Sequence, residues 1–134
     1  MELKQLLLEN EYSLAASNGY CSKDNGIKPV LMKLNEKIDY FKDLDVADKI
    51  VGKASAMLLT LSGVRSVYAL TLSKAGLEIF EKYHIPYAYD ELTDYIVNRT
   101  GDGMCPMEMT VKEIDDLQDA YLALKNKVQE MMKR

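Results

Sequence analysis

The sequence predicts an α/β fold: a mixed sheet with helices on both faces. Three observations carry that expectation. Asn18-Gly19 stands between two short flanks, "SLAAS" and "YCS", and both positions of such a pair accept positive φ, which favours a hairpin. Two apolar segments, 64–73 and 86–90, are separated by a helical pattern, so they should be parallel strands joined by a right-handed crossover. Apolar stripes at helical spacing surround them, and helices that bury one stripe cover a sheet on both sides.

Each element has a local reason. Residues 2–9 ("ELKQLLLE") read as an opening helix. In 26–41, Ile27, Val30, Leu31, Leu34 and Ile38 recur at helical spacing, and Pro29 fits a first turn. Residues 45–63 ("DVADKIVGKASAMLLTLSG") read as one helix, with Asp45 as N-cap, Gly63 as stop and Gly52 in its middle. A mid-helix glycine costs about 1 kcal/mol against alanine, so close packing against the sheet is the reason to keep it. Ser73 caps a helix over 73–85. Tyr87 and Tyr89 alternate with Ala88 and share one face of a strand. A helix is expected at 91–99, then a loop, then a long amphipathic helix over 110–132 whose start, Thr110 with Glu113, matches a capping box.

The 134 residues suit a single domain, 1–134, large enough for a proper core. With 48% hydrophobic and 28% charged residues the chain is ordinary globular material, which excludes disorder. A net charge of −4 without a basic stripe argues against nucleic acid and against a basic membrane-surface helix. No apolar run is long enough to span a bilayer, and "MELKQLLLENEY" is too short and charged for a secretory signal. Two cysteines, Cys21 and Cys105, make no disulfide framework, so a cytoplasmic setting with reduced thiols is expected.

In open α/β sheets ligands bind beyond the carboxyl ends of parallel strands, at the starts of the following helices. That rule directs attention to 45–48 and 73–76. Asp45 and Asp48 either cap a helix or, with Lys49 and Lys53 sharing a helix face, build a site in which Asp48 is a base and the lysines hold an anion. "GDGMCPMEMT" (101–110) surrounds Cys105 with methionines, which suits a flexible apolar plug. The same loop could make Cys105 a thiolate nucleophile if a helix dipole or Arg99 lowered its pKa, with Glu108 or Asp48 as base. Metal is not expected: one histidine, His84, and two distant cysteines offer no ligand spacing, and His84 suits a helix end.

The segments "DVADKIVGKASAMLL", "GVRSVYALTLSKAGLEIFEKYHIPYAYDEL" and "NRTGDGMCPME" resemble a small domain-of-unknown-function family with the cytidine-deaminase-like fold, over roughly residues 10–112. "CPME" is the most specific mark. The resemblance implies a three-layer α/β/α sandwich around a mixed sheet, and no activity that carries over. Zinc deaminases place H-x-E at one helix start and P-C-x-x-C at the next. Here the corresponding starts are read as Val46-Ala47-Asp48 and Ser73-Lys74-Ala75-Gly76, so all three zinc ligands are absent.

Three functional readings follow. The first is metal-free and cofactor-free binding of a nucleotide-like or other small polar metabolite, with Asp45, Lys49, Lys53, Ser73 and Arg99 as binding residues. The second is a cysteine-dependent enzyme using Cys105, Asp48 and Glu108. The third is a structural or partner-binding homodimer built on the C-terminal helix.

Overall fold

A computed structural model describes residues 3–98 and 100–132. In chain order the elements are α1 (Leu3–Asn10), β1 (Leu14–Ala16), β2 (Cys21–Ser22), α2 (Lys28–Glu36), β3 (Asp45–Val51), α3 (Lys53–Ser62), β4 (Ser66–Ser73), α4 (Lys74–Lys82), β5 (Tyr87–Thr93), α5 (Pro106–Val111) and α6 (Leu117–Met132). The sheet order is β2-β1-β3-β4-β5. β1 is antiparallel to both neighbours, while β3, β4 and β5 run parallel. The sheet is therefore mixed, as expected.

Helices lie on both faces. α1 covers β1 and β3, where Leu7, Ala15 and Ala47 form a small core with Leu3, Leu6, Tyr68 and Leu70 against it. The other helices build the main core on the opposite face around α3, whose Ala54, Ser55, Ala56, Met57, Leu58, Leu59 and Ser62 are all buried. A helix buried nearly all round has no polar face to spare, which is why "KASAMLLTLS" reads apolar in every direction. The arrangement is consistent with a three-layer sandwich.

The hairpin at Asn18-Gly19 forms, with a three-residue loop rather than a two-residue one. Ala16 and Tyr20 face each other through Ala16 N–H to Tyr20 O, 2.8 Å, and Gly19 takes φ +96°. That is the glycine position of a three-residue hairpin.

The largest correction falls on 45–63. It is not one helix. Asp45–Val51 is an interior strand paired on both edges, with β1 and β4, and only Lys53–Ser62 is helical. Gly52 is the N-cap of α3 in extended backbone, not a mid-helix residue. Asp45 is accordingly no helix cap, whereas Gly63 does stop α3, at φ +88°. Short apolar runs fit both periods, and partners on either side decide for the strand.

Two further helices shrink. β5 runs on to Thr93, because its ladder with β4 continues through Thr71–Glu91, Leu72–Leu92 and Ser73–Thr93, so the expected helix over 91–99 is replaced by strand at its start and is not formed by the described residues 94–98. The helix of 110–132 is two helices. Thr110 Oγ1 donates back to Pro106 O at 2.9 Å inside α5, so the Thr110–Glu113 capping box does not form. Asp116 starts α6 instead, its carboxylate accepting Asp119 N–H at 2.9 Å. α2 ends at Glu36, leaving Ile38 exposed and Phe41 buried in the turn that follows.

Candidate functional site

The parallel strands β3 and β4 deliver their carboxyl ends to the starts of α3 and α4, and a cleft of about 330 Å³ opens there. Lys53 and Ser73 line it from the two helix starts, Asp94 and Tyr95 from the segment after β5, and Glu108 from α5. The expected location, outside the carboxyl ends of the parallel strands, thus does hold a cleft, although α3 begins at Lys53 rather than at 45–48.

Glu108 dominates its geometry. Backbone N–H of Lys53 donates to Glu108 Oε1 at 2.7 Å, and that of Ala54 to Oε2 at 2.8 Å. Both are donors that the first turn of a helix leaves unpaired. A carboxylate there also meets the positive end of the α3 dipole. Only glycine leaves the room: a Cβ at Gly52 would lie 2.2 Å from Glu108 Oε1. Gly76 serves the neighbouring approach, since a Cβ there would lie 3.1 Å from the Gly52 carbonyl. Burial raises the Glu108 pKa, and the two N–H bonds work against that rise.

The α4 start is closed by its own side chain. Ser73 is fully buried and accepts Gly76 N–H at 3.0 Å, as expected of the cap. Lys53 reaches across the cleft, its Nζ donating to Lys112 O at 3.0 Å. Asp94 is held by Lys74 at 2.8 Å. Glu78, Lys82, Lys112 and Asp115 complete a rim of mixed charge.

The remaining candidates disperse. Asp45 sits at the amino end of β3, where Arg65 Nε and Nη2 donate to it at 2.9 and 2.6 Å and Ser66 at 2.6 Å; these bonds lower its pKa to about 2. It is thus at the opposite end of the strand from Lys53. Asp48 is buried within β3, in the row Leu14–Asp48–Ala69. Its Oδ1 accepts Ile50 N–H at a long 3.4 Å and its Oδ2 has no partner. Burial pushes its pKa up to about 8. Lys49 is exposed on the same strand, so Lys49 and Lys53 do not share a helix face. Arg99 lies outside the described residues.

Cys105 precedes α5. Its N–H donates to Ile96 O at 2.8 Å, Val97 pairs with Met104, and Cys105 packs against the main core beside Met107 and Val111. Met104 and Glu108, on either side of it, line the cleft; the thiol belongs to the apolar packing. The methionine-rich loop therefore does fold back over the helix starts. Among the described residues no group of three or more His, Cys, Asp or Glu side chains is placed to hold a metal ion. None of the helices there is long and apolar enough to cross a membrane.

A larger groove of about 970 Å³ lies at the amino ends of the parallel strands, beside α1. Its charged groups are already committed: Lys4 to Asp90 at 3.0 Å, and Asp45 to Arg65. The smaller cleft keeps uncommitted charge and is the better candidate. Sequence reasoning missed Gly52 as the residue that admits Glu108, together with Asp94, Tyr95, Lys82 and Lys112. The Gly52-Lys53 step, glycine before an apolar run, was the available signal for a helix start.

Comparison with known proteins places these features in a wider set. The family model described as TM1506, a domain of unknown function (DUF1893), matches residues 2–128. A crystal structure of a DUF1893 family protein from Thermotoga maritima is similar at a TM-score of 0.84 and 31% identity, covering 92% of this chain and 86% of that one. No curated protein matches the sequence.

Proposed function

The chain belongs to the DUF1893 family, and from that premise we propose that it binds a small polar metabolite, nucleotide-like or otherwise, in the cleft at the starts of α3 and α4. One observation carries the reading. The α3 start receives a carboxylate, that of Glu108, on two convergent N–H groups, in a space that Gly52 leaves for it at the edge of the cleft. Around it stand Lys82, Lys112, Glu78 and Asp115, charged side chains of both signs that a polar ligand can pair.

The mixed sheet with helices on both faces agrees with the cytidine-deaminase-like fold, which we propose for this chain. Zinc is implied by the deaminases of that fold, and the donor set here does not fit it. The helix starts carry Gly52-Lys53 and Ser73-Lys74, without histidine or cysteine, and the nearby carboxylate is bound to backbone. We therefore propose binding without zinc-dependent deamination. The cysteine-dependent reading draws no support from the place of Cys105 against the core.

A thermal-shift screen with small polar metabolites tests the binding reading. A ligand at 100 times its Kd stabilises the native state by about 2.7 kcal/mol, so a clear rise in Tm is expected. Lys112→Glu should abolish that rise. A panel of zwitterions, nucleosides and nucleotides that leaves Tm unmoved counts against the proposal.

A further inference from the structure

We propose that Glu108 is a latch: it holds residues 104–116, α5 with the residues that flank it, as a strap over the cleft, and the strap opens as a unit while the sheet and α3 stay folded. The inference concerns regulation of the site proposed above, and rests on that reading only for its biological consequence.

Two polar ties fasten the strap to α3. The first is the carboxylate of Glu108 on Lys53 N–H and Ala54 N–H; the second is Lys112 O, which accepts Lys53 Nζ at 3.0 Å. Both converge on the first turn of α3. Within α5 the buried apolar side chains are Met107 and Val111, and Met109 is exposed; Cys105 and Ile114 on either side are half-buried against the core. A six-residue helix does not hold itself together without such contacts. Segments with few buried apolar contacts open below the global unfolding free energy.

The fit of the latch is steric as well as electrostatic. The three atoms nearest to a Cβ at Gly52 all belong to the end of the Glu108 side chain. That end can swing away, so an added methyl evicts the carboxylate without forcing backbone to move. Gly52 has φ −107°, which any residue adopts. Opening would free the N–H groups of Lys53 and Ala54 and widen the cleft between α3 and α4. Burial of Glu108, which raises its pKa, makes the closed state one in which a charged group is held away from water.

Hydrogen exchange of the full chain, without any ligand, tests this. In the wild type, amides of 104–116 should exchange at least tenfold faster than those of β3 and β4. In Gly52→Ala, and in Glu108→Gln, whose amide would set N–H against N–H, the amides of Lys53, Ala54 and 104–116 should speed up a further tenfold or more. Those of β3 and β4 should not change. The latch is overturned if 104–116 exchanges only as fast as the sheet in the wild type, or if Gly52→Ala leaves the Lys53 and Ala54 amides as protected as before. Should Gly52→Ala fail to fold, Glu108→Gln decides: unchanged protection of the Lys53 and Ala54 amides in that variant overturns the latch. A failed metabolite screen would leave this result standing, so the two proposals fail separately.

Discussion

Asp48 shows what burial does to a single carboxyl. It is almost inaccessible, one oxygen has no partner, and its pKa is pushed up to about 8. The folded state therefore keeps a proton that the unfolded chain releases near pH 4. The stability this contributes is full below pH 4 and is lost progressively as pH rises from 4 through 8. Glu108, also raised, acts in the same direction. Urea unfolding at pH 5 and pH 8 should show the lower stability at pH 8, and Asp48→Asn should flatten the difference. His84 is a second local cost. It takes φ +58° just past α4, in a Schellman arrangement where Ile85 N–H reaches Phe80 O at 2.9 Å. A side chain in left-handed backbone costs about 1 kcal/mol or more, so His84→Gly should raise Tm by roughly 4 °C in a melting experiment.

At the scale of elements, boundaries follow caps and partners more than periodicity. α6 begins where Asp116 accepts Asp119 N–H, and the expected cap at Thr110 instead bonds back to Pro106 within α5. Asp116→Ala should cost about 1 kcal/mol by chemical denaturation, while Thr110→Ala should cost less. α3 has the opposite character. Leu58 and Leu59 are fully buried between the sheet and the other helices. Leu58→Ala should destabilise by roughly 2–5 kcal/mol, the range for an emptied core site. A cost under 1 kcal/mol would contradict the central place of α3 in the core. The strand–helix split at Gly52 was hidden because Ala47, Ile50, Val51 and Ala54 satisfy a helical stripe as well as a strand does.

For the whole molecule, the α/β character, the mixed sheet, the parallel pair around α4, the stop at Gly63 and the cap at Ser73 were all legible in the sequence. They rest on short-range rules, the pairing of Asn with Gly, a serine before a helix, apolar residues at fixed spacing, which act within a few residues. The cleft's general position was legible too, because parallel strands send the following helices outward from their carboxyl ends. What only the tertiary structure decided is which residues meet there. Glu108 reaches the start of α3 across 55 positions of chain, and the space it fills exists because Gly52 has no side chain. The same packing sends Asp45 to the far end of its strand, Asp48 into the core and Cys105 against apolar neighbours. Local preference fixes what a segment can become; long-range contact, which no window of sequence contains, fixes what it touches.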